Sequence, residues 1–211
     1  LLTAHLDLVR RLSKMSKNMT VEKTFASAIQ NHQKNNFKAA EDLYNQILEI
    51  DPNHIKTIFF LGTLSVQTKN FGRAKQMLQK TIQVQPNNVD AYNNLGVVFK
   101  EFEEFQKAKD CFEKVIQIQP KHVDALNNLG NVFKQLNEPQ KAINYYQKAI
   151  EIEPSYINAH QNLMDVCEKT NQITELKDAV SNARTFFKDN SIIKLYEGIL
   201  LSRNEKFVEA K

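Results

Sequence analysis

The chain has 211 residues, a formal net charge of +4, 42% hydrophobic and 25% charged residues, and only five Gly and five Pro. That length and apolar content suffice to bury a core, and so few turn formers among many helix formers point away from a strand-rich fold. The positive charge is mild and dispersed, which leaves no basic run for a nucleic-acid backbone; no stretch of 18 or more apolar residues is present to span a membrane.

In chain order, residues 1–20 form the first segment and read as an N-terminal extension, either added to the protein or native to it as a linker or cap. Within "LLTAHLDLVRRL", residues 1–12, Leu2, Leu6 and Val9 fall on one side and Leu1, Leu8 and Leu12 beside them, which predicts a short amphipathic helix. His5 and Asp7 interrupt the apolar centre that a secretory signal would need. One expectation is that this helix lies over Phe25, Ile29 and Phe59, of its own molecule or of a neighbour, so that residues 1–12 mediate self-association.

From residue 21 the chain repeats. Pro52, Pro86, Pro120 and Pro154 are spaced by 34 residues, as are Gly62, Gly96 and Gly130, and as are Ala40, Ala74, Ala108 and Ala142. With each Pro at register 32, the units are 21–54, 55–88, 89–122, 123–156 and 157–190, with a partial unit at 191–211. Such a period predicts a helix A, a turn and a helix B in each unit. Gly at register 8 and Ala at register 20 let the two helices approach, the large residues fill the remaining space, and Pro ends helix B because it has no N–H to offer a continuing helix. The edges depart from the pattern: Thr24 and Ser27 replace large apolar residues in the first unit, and Lys188 stands where Pro is usual in the fifth. The last unit has Gly198 at register 8, Phe207 at 17 and Ala210 at 20, which predicts the beginning of another helix B and a chain continuing in a longer protein.

Leu126, Leu129, Gly130, Phe133, Ala142, Tyr146, Ala149 and Pro154, with Tyr92, Leu95, Gly96, Phe99, Ala108, Phe112, Val115 and Pro120 one unit earlier, resemble the signature of the tetratricopeptide repeat family. The resemblance covers residues 21–211. It implies an all-α fold, a right-handed superhelical solenoid of antiparallel helix pairs whose A helices line a concave groove through registers 2, 5, 6, 9, 12 and 13. On this chain those registers place Phe59 and Phe60 toward one end, and Asn93, Asn94, Lys100, Asn127, Asn128, Asn131, Lys134 and Asn162 toward the other. The run "NHQKNNFKAAEDLYNQILEIDPNHIKTIFFLG", followed by repeated "NNLG", also resembles N-terminal repeats of bacterial proteins that carry an O-linked N-acetylglucosamine transferase-like glycosyltransferase or a sulfotransferase.

Asn94, Asn128 and Asn162 recur at register 6. An amide supplies both a donor and an acceptor, which is what a peptide unit of an extended ligand needs, so one reading is a ladder of amides; the other is that these residues only solvate the groove or bond a neighbouring helix. Three such bonds at about 0.5–1.5 kcal/mol each would bind weakly, leaving specificity to Phe59 or Phe60 as anchors, or to Lys100 and Lys134 meeting acidic side chains. Either phenylalanine is equally open to an inward packing role. A carboxylate clamp is not expected, because Phe25, Ile29, Phe59 and Thr63 stand where Lys and Asn would be needed.

Catalytic signatures are missing from the sequence: it has no phosphate-binding Gly loop, no GxSxG and no HExxH. His54 and His122 share one register two units apart and read as turn residues, and Cys111 and Cys167 read as buried packing thiols in a reducing compartment. The expectation is a non-catalytic scaffold in the cytoplasm, with no metal or cofactor, that binds a protein or peptide and not nucleic acid. The alternative is a substrate-recruiting module of a larger glycosyltransferase or sulfotransferase.

Overall fold

The computed structural model describes the backbone of residues 2–209 and the side chains of residues 17–203. Among the described residues it has eleven α-helices and no strand: α1 (Leu2–Gln33), α2 (Phe37–Ile50), α3 (Ile55–Gln67), α4 (Phe71–Val84), α5 (Val89–Glu101), α6 (Phe105–Ile118), α7 (Val123–Gln135), α8 (Pro139–Ile152), α9 (Ile157–Lys169), α10 (Ile173–Phe186) and α11 (Ser191–Glu209). The chain divides into two compact units, Leu1–Val98 and Phe99–Lys211, with the division inside α5.

One device makes every A-to-B turn. At register 15, Asn35, Lys69, Glu103, Asn137 and Asn171 adopt φ near +57° to +59°, and none is a glycine. The following residue donates its N–H five residues back, as from Asn36 to Asn31 (2.9 Å) and from Asn70 to Ser65 (2.8 Å), while the left-handed residue donates three back, as from Asn35 to His32 (3.0 Å). This pair of bonds is the Schellman closure, which satisfies carbonyls at the helix end. A left-handed non-glycine residue costs about 1 kcal/mol or more, and the packing of B on A offsets it. The B-to-A connections use the prolines and side-chain caps: Nδ1 of His54 accepts from the Thr57 N–H (3.4 Å), Nδ1 of His122 from the Ala125 N–H (3.2 Å), and Oδ1 of Asn88 from the Ala91 N–H (2.9 Å). Both histidines are therefore helix caps.

The first unit, Leu1–Val98, buries Ala28, Ala40, Tyr44, Leu61 and Leu64 together, with Phe25, Ile29, Phe37 and Phe60 packed against them. The second, Phe99–Lys211, buries Ala108, Phe112, Leu126, Leu129, Ala142, Tyr146, Met164 and Leu176. Two glycines are required for close approach. A Cβ on Gly130 would lie 2.5 Å from Cε1 of Tyr146, and one on Gly62 would lie 3.1 Å from Cγ of Leu78. Cys111 and Cys167 are buried free thiols; burial pushes them up to about 12 and about 11, which keeps both as unreactive thiols.

The ends differ from what the register predicts. Residues 2–33 form one continuous helix, because no Gly or Pro occurs between residues 1 and 33 to interrupt it. An unbroken helix cannot fold back on itself, so residues 2–12 do not cover Phe25 or Ile29 of the same molecule; their side chains lie outside the described residues. At the other end α11 runs through residues 204–206, where the other units turn.

Candidate peptide-binding face

The expected binding residues sit on the A helices α3, α5, α7 and α9, and the two units furnish those helices differently. In the first unit Phe60 turns inward: its ring lies 5.6 Å from Phe25, 6.4 Å from Tyr44 and 6.4 Å from His32. Phe59 is half-buried and stands edge-on to Phe60 at 5.2 Å, with no other ring contact among the described residues. His32 ties this cluster to the helix ends, with Nδ1 3.2 Å from the Tyr44 hydroxyl and Nε2 2.8 Å from Oε1 of Gln67.

Beside this cluster Asn94 reaches the preceding A helix. Its Nδ2 donates to Oγ1 of Thr63 (3.1 Å), and Thr63 in turn donates to the Phe59 carbonyl (3.1 Å). That leaves Oδ1 of Asn94 as a spare acceptor among the described residues. Asn93 has its Oδ1 buried and without a hydrogen-bond partner among the described residues.

In the second unit the recurring amide finds a different partner. Nδ2 of Asn162 donates to Oδ1 of Asn127 (2.9 Å), and Asn127 is only 6% exposed. Asn131 accepts from the buried Tyr146 hydroxyl (2.8 Å), which leaves its Nδ2, among the described residues, as the free end of the amide. Burial holds the Tyr146 phenol above its ordinary range, so it remains a donor. Asn128 is half-buried, and its side-chain amide makes no hydrogen bond among the described residues. Lys134 pairs with Asp165 (3.2 Å), which also takes Lys169 (2.9 Å). Burial alone would raise the Asp165 carboxyl, but hydrogen bonds from Lys169 and Lys134 outweigh it and hold the group below its ordinary value. Lys100, Asn131 and Lys134 share a hollow of about 340 Å³ with Glu101 and Glu103.

Sequence reasoning placed these residues along one concave groove but missed how they are used. Thr63, which fixes Asn94, and Tyr146, which fixes Asn131, lie 31 and 15 residues from their partners. A polar residue at register 9 one unit before an Asn at register 6 would have signalled the first. Asp165 fixes Lys134, and only its place in the same register set as the lysine hinted at that. Among the described residues no group of His, Cys, Asp or Glu side chains is placed to hold a metal.

The sequence profiles of the tetratricopeptide repeat match residues 32–96, 89–122 and 123–156, more than half of the chain. The chain belongs to the tetratricopeptide repeat family. The crystal structure of MamA protein matches at 26% identity and a TM-score of 0.72, over 81% of this chain and 93% of that one. YrrB, described as a TPR protein with an unusual peptide-binding site, matches at 16% identity and a TM-score of 0.70, over 86% of this chain and 97% of that one. PilF of Pseudomonas aeruginosa matches at 17% identity and 0.70, over 93% and 100%. The last two show likeness of fold alone. No curated protein sequence matches the chain. The similarity lies in the repeat and carries no link to a glycosyltransferase or a sulfotransferase. No helix among the described residues is long and apolar enough to cross a membrane.

Proposed function

We propose that this chain is a non-catalytic scaffold that holds an extended segment of a partner protein along the A-helix edges. The observation that carries this reading is the hydrogen-bonding capacity left unspent among the described residues of each unit: Oδ1 of Asn94 in the first, and the whole amide of Asn128 with Nδ2 of Asn131 in the second. A peptide backbone offers a donor and an acceptor per residue, so amides fixed through one end and free at the other meet it without further ordering. Asn94 and Asn131 are fixed in this way. In the first unit Phe59 adds selectivity for an apolar side chain, and in the second Lys100 adds it for an acidic one. The description of YrrB as a peptide binder with this fold supports the same class of function.

The test uses a displayed library of random peptides, selected on the chain and on a variant carrying Asn94→Ala, Asn128→Ala and Asn131→Ala, each checked for helicity. Peptides that bind the chain and lose about tenfold or more on the folded variant support the reading, since each lost bond is worth about 0.5–1.5 kcal/mol. Equal binding to both removes the amides from the site.

A further inference from the structure

From α4 onward the B helices carry a cation at register 19, as Arg73, Lys107 and Lys141, until α10, which carries Glu175. Each of these cations is used within the fold. The Arg73 guanidinium reaches back to α2, where it donates to Oε1 of Glu41 and, at 2.7 Å, to Oδ1 of Asn45. Lys107 lies 5.6 Å from the centre of the Phe99 ring, and Lys141 5.2 Å from that of Phe133. Register 23 changes at the same helix: Leu43, Met77, Cys111 and Tyr145 are followed by Ala179. On α8 the Tyr145 ring stacks on Phe133 at 5.4 Å; α10 has no side chain of that size to offer at this register.

At these two exchanged positions a hollow of about 360 Å³ lies between α8 and α10, within the second unit. Leu163 and Ala179, 6% and 5% exposed, form its floor, and the exposed side chains of Gln147, Glu151, Glu175 and Asp178 surround it. None of the three carboxylates has an ion pair or a hydrogen bond among the described residues. Glu175 stands in the first turn of α10, where the helix dipole favours an anion, but Glu151 is the penultimate residue of α8, where the dipole opposes one. Three like charges around an apolar floor also repel one another, and a cation among them removes that cost. Gln147 stands at register 25, the register from which Asn45 receives Arg73.

We propose that this hollow receives an arginine from a basic segment of a partner protein, which does between α10 and α8 what Arg73 does between α4 and α2. A guanidinium is a planar fork of donors that can meet Glu151, Glu175 and Asp178 together, and its weakly hydrated face can lie on Leu163 and Ala179; the compact, strongly hydrated ammonium of a lysine does neither as well. The site is built on B helices and does not rest on the asparagines of the A helices.

The probe is a displayed library of random peptides, selected separately on the chain and on a variant carrying Glu175→Lys and Ala179→Tyr. That variant gives α10 the residues α8 carries at registers 19 and 23, so it suits the repeat; Glu175→Gln is a milder second variant, and helicity is checked for each. Expected is enrichment of arginine in the peptides selected on the parent chain and not in those selected on the double variant. A synthetic copy of such a peptide should lose about tenfold or more in affinity on the double variant, less on Glu175→Gln, and about tenfold when its arginine is replaced by lysine, the effect of losing charge-assisted hydrogen bonds. It should bind equally to the chain carrying Asn94→Ala, Asn128→Ala and Asn131→Ala. The proposal is overturned if arginine is not enriched, if the arginine peptides bind parent and double variant alike, or if lysine serves them as well. Peptides lost only on the asparagine variant would report the A helices and leave this hollow without a partner, which also overturns it. Self-association of the parent chain that the double variant abolishes would make a second copy the occupant instead.

Discussion

The two units use the same backbone registers for opposite purposes. Along the first, Phe25, His32, Tyr44 and Phe60 close the space between helices with rings, and Phe59 stands at the margin of that cluster. Along the second, the A-helix edge is built from Asn127, Asn131, Asn162, Lys134 and Asp165, which bond one another or Tyr146. Helix pairs of this kind set where a side chain stands, while the residue type at that place decides whether the edge is sealed or left able to make hydrogen bonds.

The sharpest way to break the first half of this comparison is to open the ring cluster. Phe60→Ala removes a ring that touches three others in the core and should cost about 3 kcal/mol, against about 1 kcal/mol for Phe59→Ala at its margin. Urea unfolding of the two variants measures the difference, and equal losses would mean that Phe59 shares the core. For the second unit the corresponding strain is Gly130→Ala. A methyl group 2.5 Å from the Tyr146 ring forces Tyr146 off its bond to Asn131, at about 2 kcal/mol. Gly62→Ala meets Cγ of Leu78 and Cβ of Met77, both at 3.1 Å, a milder overlap that gained helix propensity partly offsets, so it should cost less than Gly130→Ala. The opposite order would show that the Tyr146 ring moves aside freely.

Sequence made much of this legible, and the limit is physical. The period of 34 fixed which residues are small and which are inward, so Gly130 and Ala142 were legible as close-approach positions, whereas the Tyr146 ring against Gly130 was not. The polar partnerships did not, because they depend on which side chain happens to stand at a neighbouring register one unit away. Asn94 finds Thr63 at register 9; for Asn162 that register holds Asn131, already taken by Tyr146, and it bonds Asn127 at register 5 instead. One unit before Asn128, register 9 is Val97, which has no hydrogen-bonding group to offer. A repeated asparagine is thus one sequence feature with three outcomes. The continuity of α1 was hidden for a different reason: the repeat begins at residue 21, but a helix stops only where something stops it.

Acid should act on the second unit through His160. The ring is buried beside Phe186 and Phe187, Nε2 donates to the Pro154 carbonyl (2.9 Å), and Nδ1 is buried without a partner among the described residues. Burial lowers its proton affinity below the ordinary value of 6.5, and the bond to Pro154 only partly opposes this. Below that value the unfolded chain binds a proton that the folded chain resists, so stability is full above pH 6.5 and declines as the pH falls below it. His160→Phe should remove that part of the slope, read from urea midpoints between neutral and mildly acidic pH. An unchanged slope would assign it to other groups.

The smallest effects separate the three asparagines themselves. Asn162→Ala strips a donor from Asn127, whose carbonyl oxygen then stays buried and unpaired, so a loss of about 1–2 kcal/mol is expected. Asn94→Ala leaves Thr63 still donating to the Phe59 carbonyl, and an exposed enough site for water to replace the amide, so the loss should be under about 1 kcal/mol. Asn128→Ala removes a side chain that bonds nothing in the described structure and should change stability by no more than about 0.5 kcal/mol. If binding of a selected peptide follows the reverse order, with Asn128 most sensitive, then the amide least used by the fold is the one kept for the ligand. If binding follows the stability order instead, these variants act on the peptide only through the fold, and the edge holds its partner by other groups.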